Sequence, residues 1–296
     1  MKKVLFLSMM LTAAMAASAQ MKVAPELQKG MEKVYTSEAT MTMNGQKSLK
    51  STTETKYTVT EATADGYVID VVTTQFSSDA AADDMTGQIL SSSMELVTGV
   101  NIRVATNQSG KVEKILNFVE VSSQLNANSD KMVDKMFQLL PQLSQAMSKE
   151  DMKKQLMSSM TEERILEGIK ENTSPLALNG KTIMTGAQED FVSKDGLKMK
   201  RMYFLTGKNV VTNSTLNMTK EELKAFIIAE VEKTAPEQAE MVKQNIDMVM
   251  GSMKFDMKET ASYELQGDGW VKSITSDVTT DMMGQSTSAH TVVTVK

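Results

Sequence analysis

The sequence has no cysteine and only one histidine, His290. Without cysteine there are no disulfides, no thiolate metal sites and no bacterial lipid anchor on a cysteine behind the leader. With one histidine, zinc sites built from several His and Cys ligands fall away. A Ser-His-Asp relay would have to centre on His290, which lies in a Thr- and Val-rich segment that reads as an ordinary C-terminal strand. No G-x-S-x-G elbow is present. Aromatics make up 5% of the chain and basic residues form no run, so the footprint of a nucleic-acid binder is missing. Proline is scarce and no Pro- or Gly-rich linker divides the chain. Beyond the N-terminus no apolar run reaches the roughly 20 residues that a membrane-spanning helix needs.

What is present starts with a leader. Lys2 and Lys3 precede an apolar run from Val4 to Leu11, and Ala17-Ser18-Ala19 places small residues at the cleavage positions. This pattern predicts a cleavable signal peptide over residues 1–19, cut between Ala19 and Gln20, and a periplasmic or secreted mature chain with no transmembrane span. Losing Lys2 and Lys3 takes the basic count from 32 to 30 against 37 acidic residues, a net charge of −7 that suits a soluble surface. Residues 20–296 are enough to bury a core without covalent staples.

Turn dipeptides punctuate that stretch: Asn44-Gly45, Asp65-Gly66, Ser109-Gly110, Asn179-Gly180, Asp195-Gly196, Asp268-Gly269 and Met283-Gly284. Each separates segments rich in Thr, Val and aromatics, which is the pattern of hairpins. Strands are predicted over 33–43, 46–62, 66–76, 100–107, 111–117, 181–193, 197–206, 208–215, 253–265, 270–281 and 286–295. Over 255–265, Phe255, Met257, Ala261, Tyr263 and Leu265 share one parity and polar residues the other, so that strand has one face on a core and one in water. Most other strands carry Thr and Ser on both faces, as in an open, partly solvated sheet. Thr40–Gln46 and Thr280–Gln285 echo each other as two hairpin tips, a likeness that shared turn chemistry explains.

Two blocks switch to helical period. Met132, Met136, Leu139, Leu140, Leu143 and Met147 form one stripe, interrupted at Pro141, where a break is expected. Ser148 with Asp151 reads as the N-cap of a further helix running to about Glu171. Thr219 with Glu222 and Thr234 with Glu237 are capping boxes that open a helical hairpin near 219–252. A shorter helix is expected over 85–97. Strands, helices and strands in this order, without β-α-β alternation, give an α+β fold: a curved antiparallel sheet covered by helices. One domain over 20–296 is expected, with a two-lobed arrangement of the helical segments 120–172 and 219–252 as the alternative.

Little in the chain carries chemistry. Gly180-Lys181-Thr182 matches the end of a phosphate-binding loop, but the first glycine of that motif would fall on Pro175, and the segment opens a strand instead of a helix. Asp79, Asp83 and Asp84 cluster before the 85–97 helix without the spacing of a calcium loop or an established glycosidase arrangement, and acidic residues favour helix starts. Trp270 begins a strand and reads as core, with a ligand platform as the alternative. Methionine is abundant, 27 residues, of which Met1, Met9, Met10 and Met15 belong to the leader. Met248, Met250, Met253 and Met257, and Met157 with Met160, have thioether spacings that suit Cu(I). Most methionines share stripes with Leu, Ile and Val, however, and Met fills irregular cores and adaptable apolar surfaces.

The start Ala17-Ser18-Ala19-Gln20, the Ser109-Gly110-Lys111-Val112 hairpin and the Gly267-Asp268-Gly269-Trp270-Val271 strand resemble an uncharacterised family of Bacteroidetes-type secreted proteins, which implies no catalytic residues. The predicted sheet covered by helices is more distantly similar to periplasmic lipoprotein carriers of the LolA and LppX type, which hold acyl chains between sheet and helices. The expectation is a non-enzymatic envelope protein with no cofactor, binding an apolar ligand or a lipid-bearing partner between a sheet and Met-rich helices. The ligand-binding residues are not predicted. The alternatives are a structural or protein-interaction module at the cell surface and, behind it, a hydrolase with an acidic pair.

Overall fold

The computed structural model describes residues 20–296 apart from 44, 82, 83, 194, 235, 253, 254, 283 and 284. The leader through Ala19 therefore lies outside the described residues, as do Asp83, Met253 and the Met283-Gly284 turn. Strands and helices follow the order β1 (Gln20–Lys22), β2 (Glu32–Met43), β3 (Gln46–Ala62), β4 (Gly66–Ser78), α1 (Met85–Val97), β5 (Asn101–Asn107) and β6 (Val112–Ile115). Four helices come next: α2 (Phe118–Leu139), α3 (Leu143–Ala146), α4 (Lys149–Ser159) and α5 (Glu162–Ile169). Then come β7 (Thr182–Met184), β8 (Gln188–Val192), β9 (Lys198–Thr206), β10 (Asn209–Leu216), α6 (Lys220–Thr234), α7 (Pro236–Ser252), β11 (Phe255–Leu265), β12 (Val271–Met282) and β13 (Gln285–Val295).

The main sheet has 11 antiparallel strands in the order β6-β5-β4-β3-β2-β13-β12-β11-β10-β9-β8, open at both ends. It is two meanders joined at their centre, where β2 pairs with β13, Tyr35 opposite Val295 and Met43 opposite Thr287. The fold is thus α+β with a curved antiparallel sheet, as the turn and strand pattern predicts.

All helices cover one face. The other carries Lys56, Lys258, Asp277 and His290, with cross-strand pairs such as Lys56 Nζ to Glu32 at 3.1 Å and His290 Nδ1 to Asp277 at 2.7 Å. That charged face is not the apolar band that a strand-built membrane protein turns to lipid. Among the described residues no helix is long and apolar enough to cross a membrane.

Three apolar clusters fill the covered face. The largest, at one end, joins both meanders: Tyr35, Tyr57, Ile69 and Val104 from one, and Val210, Tyr263, Ile274 and Val293 from the other, around Trp270. Its aromatics keep their polar atoms bonded. Tyr35 donates to the Val271 carbonyl at 2.6 Å, Tyr263 to Asn172 Oδ1 at 3.2 Å, and the Trp270 indole to the Glu26 carbonyl at 3.4 Å. Burial holds the Tyr35 and Tyr263 hydroxyls far above the usual phenol range and pushes Tyr57 up to about 12. Each such side chain contributes on the order of 1.5–3 kcal/mol of burial free energy. The second cluster seats the α6–α7 hairpin on β8–β11 through Leu197, Met199, Leu223, Ile246 and Met250. The third seats α1 and α2 on the other meander through Leu96, Val100, Val121 and Leu125.

Two local expectations need correcting. The strand predicted over 181–193 is broken: Gly186, at φ 83°, turns the chain, and the Ala187 amide bonds the Met184 carbonyl. β7 leaves the main sheet and pairs with β1, Gln20 opposite Met184, while β8 becomes an edge of the main sheet. The helix predicted from Ser148 to about Glu171 also ends early. It stops at Ser159, and Thr161 caps α5 anew by accepting from the Arg164 amide at 3.3 Å. The break at Pro141 is present, between α2 and α3. The Ser148 cap accepts from the Asp151 amide at 3.1 Å, and the Thr219 and Glu222 box makes both of its bonds, 2.9 and 3.2 Å. The side chains of the Thr234–Glu237 box lie outside the described residues.

Candidate functional site

Between the two helical groups lies a cleft of about 1130 Å³. One wall is α2, α4 and α5; the other is the second half of α6 together with the end of β8 and the β8–β9 turn. The α2 wall follows from helical spacing. Val121, Leu125 and Val133 are buried, which turns the neighbouring Met132 and Met136 partly out of the cluster and into the cleft. α4 supplies Met152 and Leu156 but buries none of its own residues fully. It is tied to α2 by ion pairs, Lys153 to Asp130 at 2.6 Å and Lys149 to Asp134 at 2.5 Å. Phe191 from the sheet edge and Phe226 from α6 face these thioethers. The lining is half apolar and half polar, the polar half including Gln155, Thr161, Glu163, Arg164 and Glu230, and the volume lies slightly above the roughly 300–1,000 Å³ that ligand pockets occupy.

Several charges at the cleft are paired. Arg164 stands 4.0 Å from Glu230, and Glu230 also accepts from Lys233 at 2.9 Å. Glu167 pairs with Lys170 at 3.0 Å. Behind Phe191 is a second group of charges on β8 and β9. The Arg201 guanidinium lies 4.1 Å from the Phe191 ring centroid and 3.7 Å from Glu189. Lys181 bonds both oxygens of Glu189, at 2.9 and 2.8 Å, and Tyr203 donates to the same carboxylate. Burial alone would raise Glu189, but the bonds from Lys181 and Tyr203 and the nearby Arg201 charge outweigh it and hold the carboxyl below its usual range.

The residues singled out in the sequence do not converge on this cleft. His290 is exposed on the opposite sheet face, beside Asp277. Asp79 accepts from the Lys50 amide at 2.6 Å, and Asp84 caps α1 by accepting from the Gly87 amide at 3.1 Å, so both serve backbone geometry. Gly180, at φ 76°, is a turn ahead of β7, where a Cβ would come within 2.6 Å of Lys111 Cβ. Trp270 is 1% exposed, which makes it core and leaves no platform. Met248 is 78% exposed and Met250 is buried on the same helix, so that pair does not converge on one ion. Met157 and Met160 pack into the α1–α2 cluster. Sequence reading placed Met132 and Met136 on a stripe without assigning them to a cleft, and it did not flag Phe191, Arg201 or Glu189. Their one signal was the alternation of the 181–206 region, which the missed break at Gly186 obscured.

No family model matches the chain, and no curated protein matches it. Among solved structures it is similar to lipovitellin, in a structure concerned with lipid–protein interactions, with a TM-score of 0.42 and 8% identity over 92% of this chain. This chain covers only 25% of that protein. It is similar also to a porin-like protein from Bacteroides uniformis, at a TM-score of 0.17 and 7% identity over 89% of this chain and 95% of that one. An outer membrane channel from Pseudomonas putida F1 follows at 0.15 and 6%, over 92% and 98%. At scores this low, none of these likenesses bears on function.

Proposed function

We propose that this chain is a non-enzymatic envelope protein that holds an apolar ligand in the cleft between its helices and the sheet edge. One observation carries the reading: a cleft of about 1130 Å³ whose apolar lining includes Met132, Met136, Met152, Leu156, Phe191 and Phe226. Thioether side chains re-pack at low cost around different apolar shapes. Of the carboxylates lining the cleft, Glu167 and Glu230 are engaged in ion pairs with Lys170, Arg164 and Lys233. The leader pattern over 1–19 supports work outside the cytoplasm, which fractionation of the native cells would test.

Met152→Trp tests the ligand site, because Met152 lines the cleft from a helix with no fully buried residue and belongs to none of the three apolar clusters beneath. Displacement of N-phenyl-1-naphthylamine, a neutral apolar fluorophore, by medium-chain lipids is expected for the wild type and is expected to weaken by roughly tenfold or more in the variant. A wild-type protein that takes up no apolar probe sinks the reading. One observation favours a second reading, an interaction module: Met241 and Met248, seven residues apart on one side of α7, are 59% and 78% exposed. Replacing both with Gln would abolish partner capture under that reading and leave probe binding intact.

A further inference from the structure

The main sheet is open at both ends, and its two edge strands are finished differently. β6 is short, its Val112 and Ile115 are buried in the large cluster, and its ladder with β5 shifts register at Ala105–Thr106. β8 keeps an unbroken register with β9, from Gln188 opposite Met202 to Val192 opposite Lys198. The Tyr203 amide donates to the Ala187 carbonyl and the Ser193 amide to the Leu197 carbonyl, so the odd-numbered residues of this stretch bond to β9. Gln188, Asp190 and Val192 therefore turn their N–H and C=O outward. All three are exposed, and those groups have no partner among the described residues. Natural sheets blunt such edges with bulges, proline or lysine, and β8 has none of these.

This edge borders the cleft. A pocket on one face of a strand is lined by every second residue, whereas Phe191, Val192 and Ser193 line this one in succession. The strand thus presents its edge, backbone included, to the cleft. A further strand would lie about 4.8 Å from β8, between it and the helices opposite. Its side chains would alternate, one set on the side of Phe191 and the other beside exposed Val192. Charge narrows the choice of strand. A second copy paired antiparallel about the middle of β8 would set Asp190 against Asp190, and like charges directly opposite destabilise a ladder. The cleft cations Arg164 and Lys233 are held by Glu230, whereas exposed Glu163 forms no ion pair among the described residues. The free charge at this mouth is therefore acidic. We infer that the ligand is an extended polypeptide segment of another protein, apolar at alternate positions and flanked by lysine or arginine, which adds to β8 as an antiparallel strand. Its backbone meets the outward groups of Gln188, Asp190 and Val192, and its apolar side chains enter the cleft. This inference rests on the cleft reading above and names the ligand class; medium-chain lipids act there as stand-ins for the side chains.

The test uses the full chain and a peptide of alternating valine and threonine with a lysine at each end. In an antiparallel strand whose valines enter the cleft, the threonine amides are the ones that meet β8. A twin peptide with ester oxygens in place of those amide nitrogens loses the N–H groups and little else. The peptide is expected to displace N-phenyl-1-naphthylamine from the wild type roughly tenfold better than the twin, the worth of a pair of backbone hydrogen bonds. It is also expected to slow amide hydrogen exchange at Asp190 and Val192, read by nuclear magnetic resonance, with little change at Phe191. Asp190→Pro removes an outward N–H and no bond to β9, and is expected to bring the peptide down to the level of its twin. Equal displacement by peptide and twin in the wild type overturns the added strand while the apolar cleft stands, and that comparison needs no variant to fold. Slowed exchange at Asp190 and Val192 in a chain that takes up no probe would keep the added strand and overturn the cleft. Neither effect overturns both. A peptide with glutamate in place of lysine is expected to compete less well, and equal competition would overturn the basic flanks. Self-association of the chain that Asp190→Pro abolishes would give the edge to a second copy and overturn the peptide.

Discussion

The two ends of the covered face are built on opposite terms. At the closed end, Trp270, Tyr35 and Tyr263 are each 2% exposed or less, their polar atoms are bonded, and residues from both meanders interlock. At the cleft end the walls mix thioethers with polar groups, α4 buries no residue fully, and it is tied to α2 by ion pairs as well as by partly buried Leu156 and Met157. Aromatic side chains locked by hydrogen bonds favour a single arrangement, whereas Met with its soft, many-jointed side chain tolerates several. Stability is concentrated where the meanders meet, and adaptability where the helices part. A single fold thus separates the tightly packed base from the cleft proposed to hold a ligand.

The contrast can be broken first at the closed end. Trp270→Ala is expected to cost about 3–5 kcal/mol in urea unfolding, against no more than about half of that for Met136→Ala in the cleft. Equal losses would show that the cleft is as tightly packed as the base. Next comes the α6 wall, whose start depends on a local cap: Thr219→Ala should cost about 1 kcal/mol by the same measurement. The pH dependence of this cap follows from Glu222. The hydrogen bond from Lys198 and the bonds with Thr219 hold its carboxyl down to about 2, against an ordinary 4.5. Since the folded value is the depressed one, its stabilisation is complete above about pH 4.5 and is lost as the pH falls toward 2. Acid titration followed by circular dichroism should show that loss in the wild type and not in Glu222→Gln; coincident curves would remove the cap from the account. The smallest effect changes no stability at all. Peroxide should oxidise exposed Met248 at the same rate with or without N-phenyl-1-naphthylamine, while Met132, Met136 and Met152 are protected when the probe is bound. Uniform oxidation read by mass spectrometry would place the ligand elsewhere.

Much of the framework was legible because it is written in short-range chemistry. The helix over 85–97 and the strand over 46–62 match the structure at both ends, since turn dipeptides and alternation set them within a few residues. The Ser148 and Thr219 caps read correctly because cap and amide are three residues apart. Thr161 was missed because Arg164 stands where a capping box has Glu or Gln, so the cap had only its hydroxyl to announce it. Segment 172–180 was left between elements, yet Leu176, Ala177 and Leu178 are buried at the closed end. An irregular segment carries no period by which to recognise burial.

The sequence by itself determined the punctuation of the chain, the period of each segment, the α+β class and the methionine-rich character of one helical face. These rest on interactions between residues close along the chain. The tertiary structure alone decided that β2 pairs with β13, that β7 departs to join β1, and that Met132, Phe191 and Phe226 face one cleft with Arg201 behind it. Those outcomes depend on which distant strands become neighbours. Strand pairing at that range is settled by the packing of whole faces against one another, and no local pattern records it.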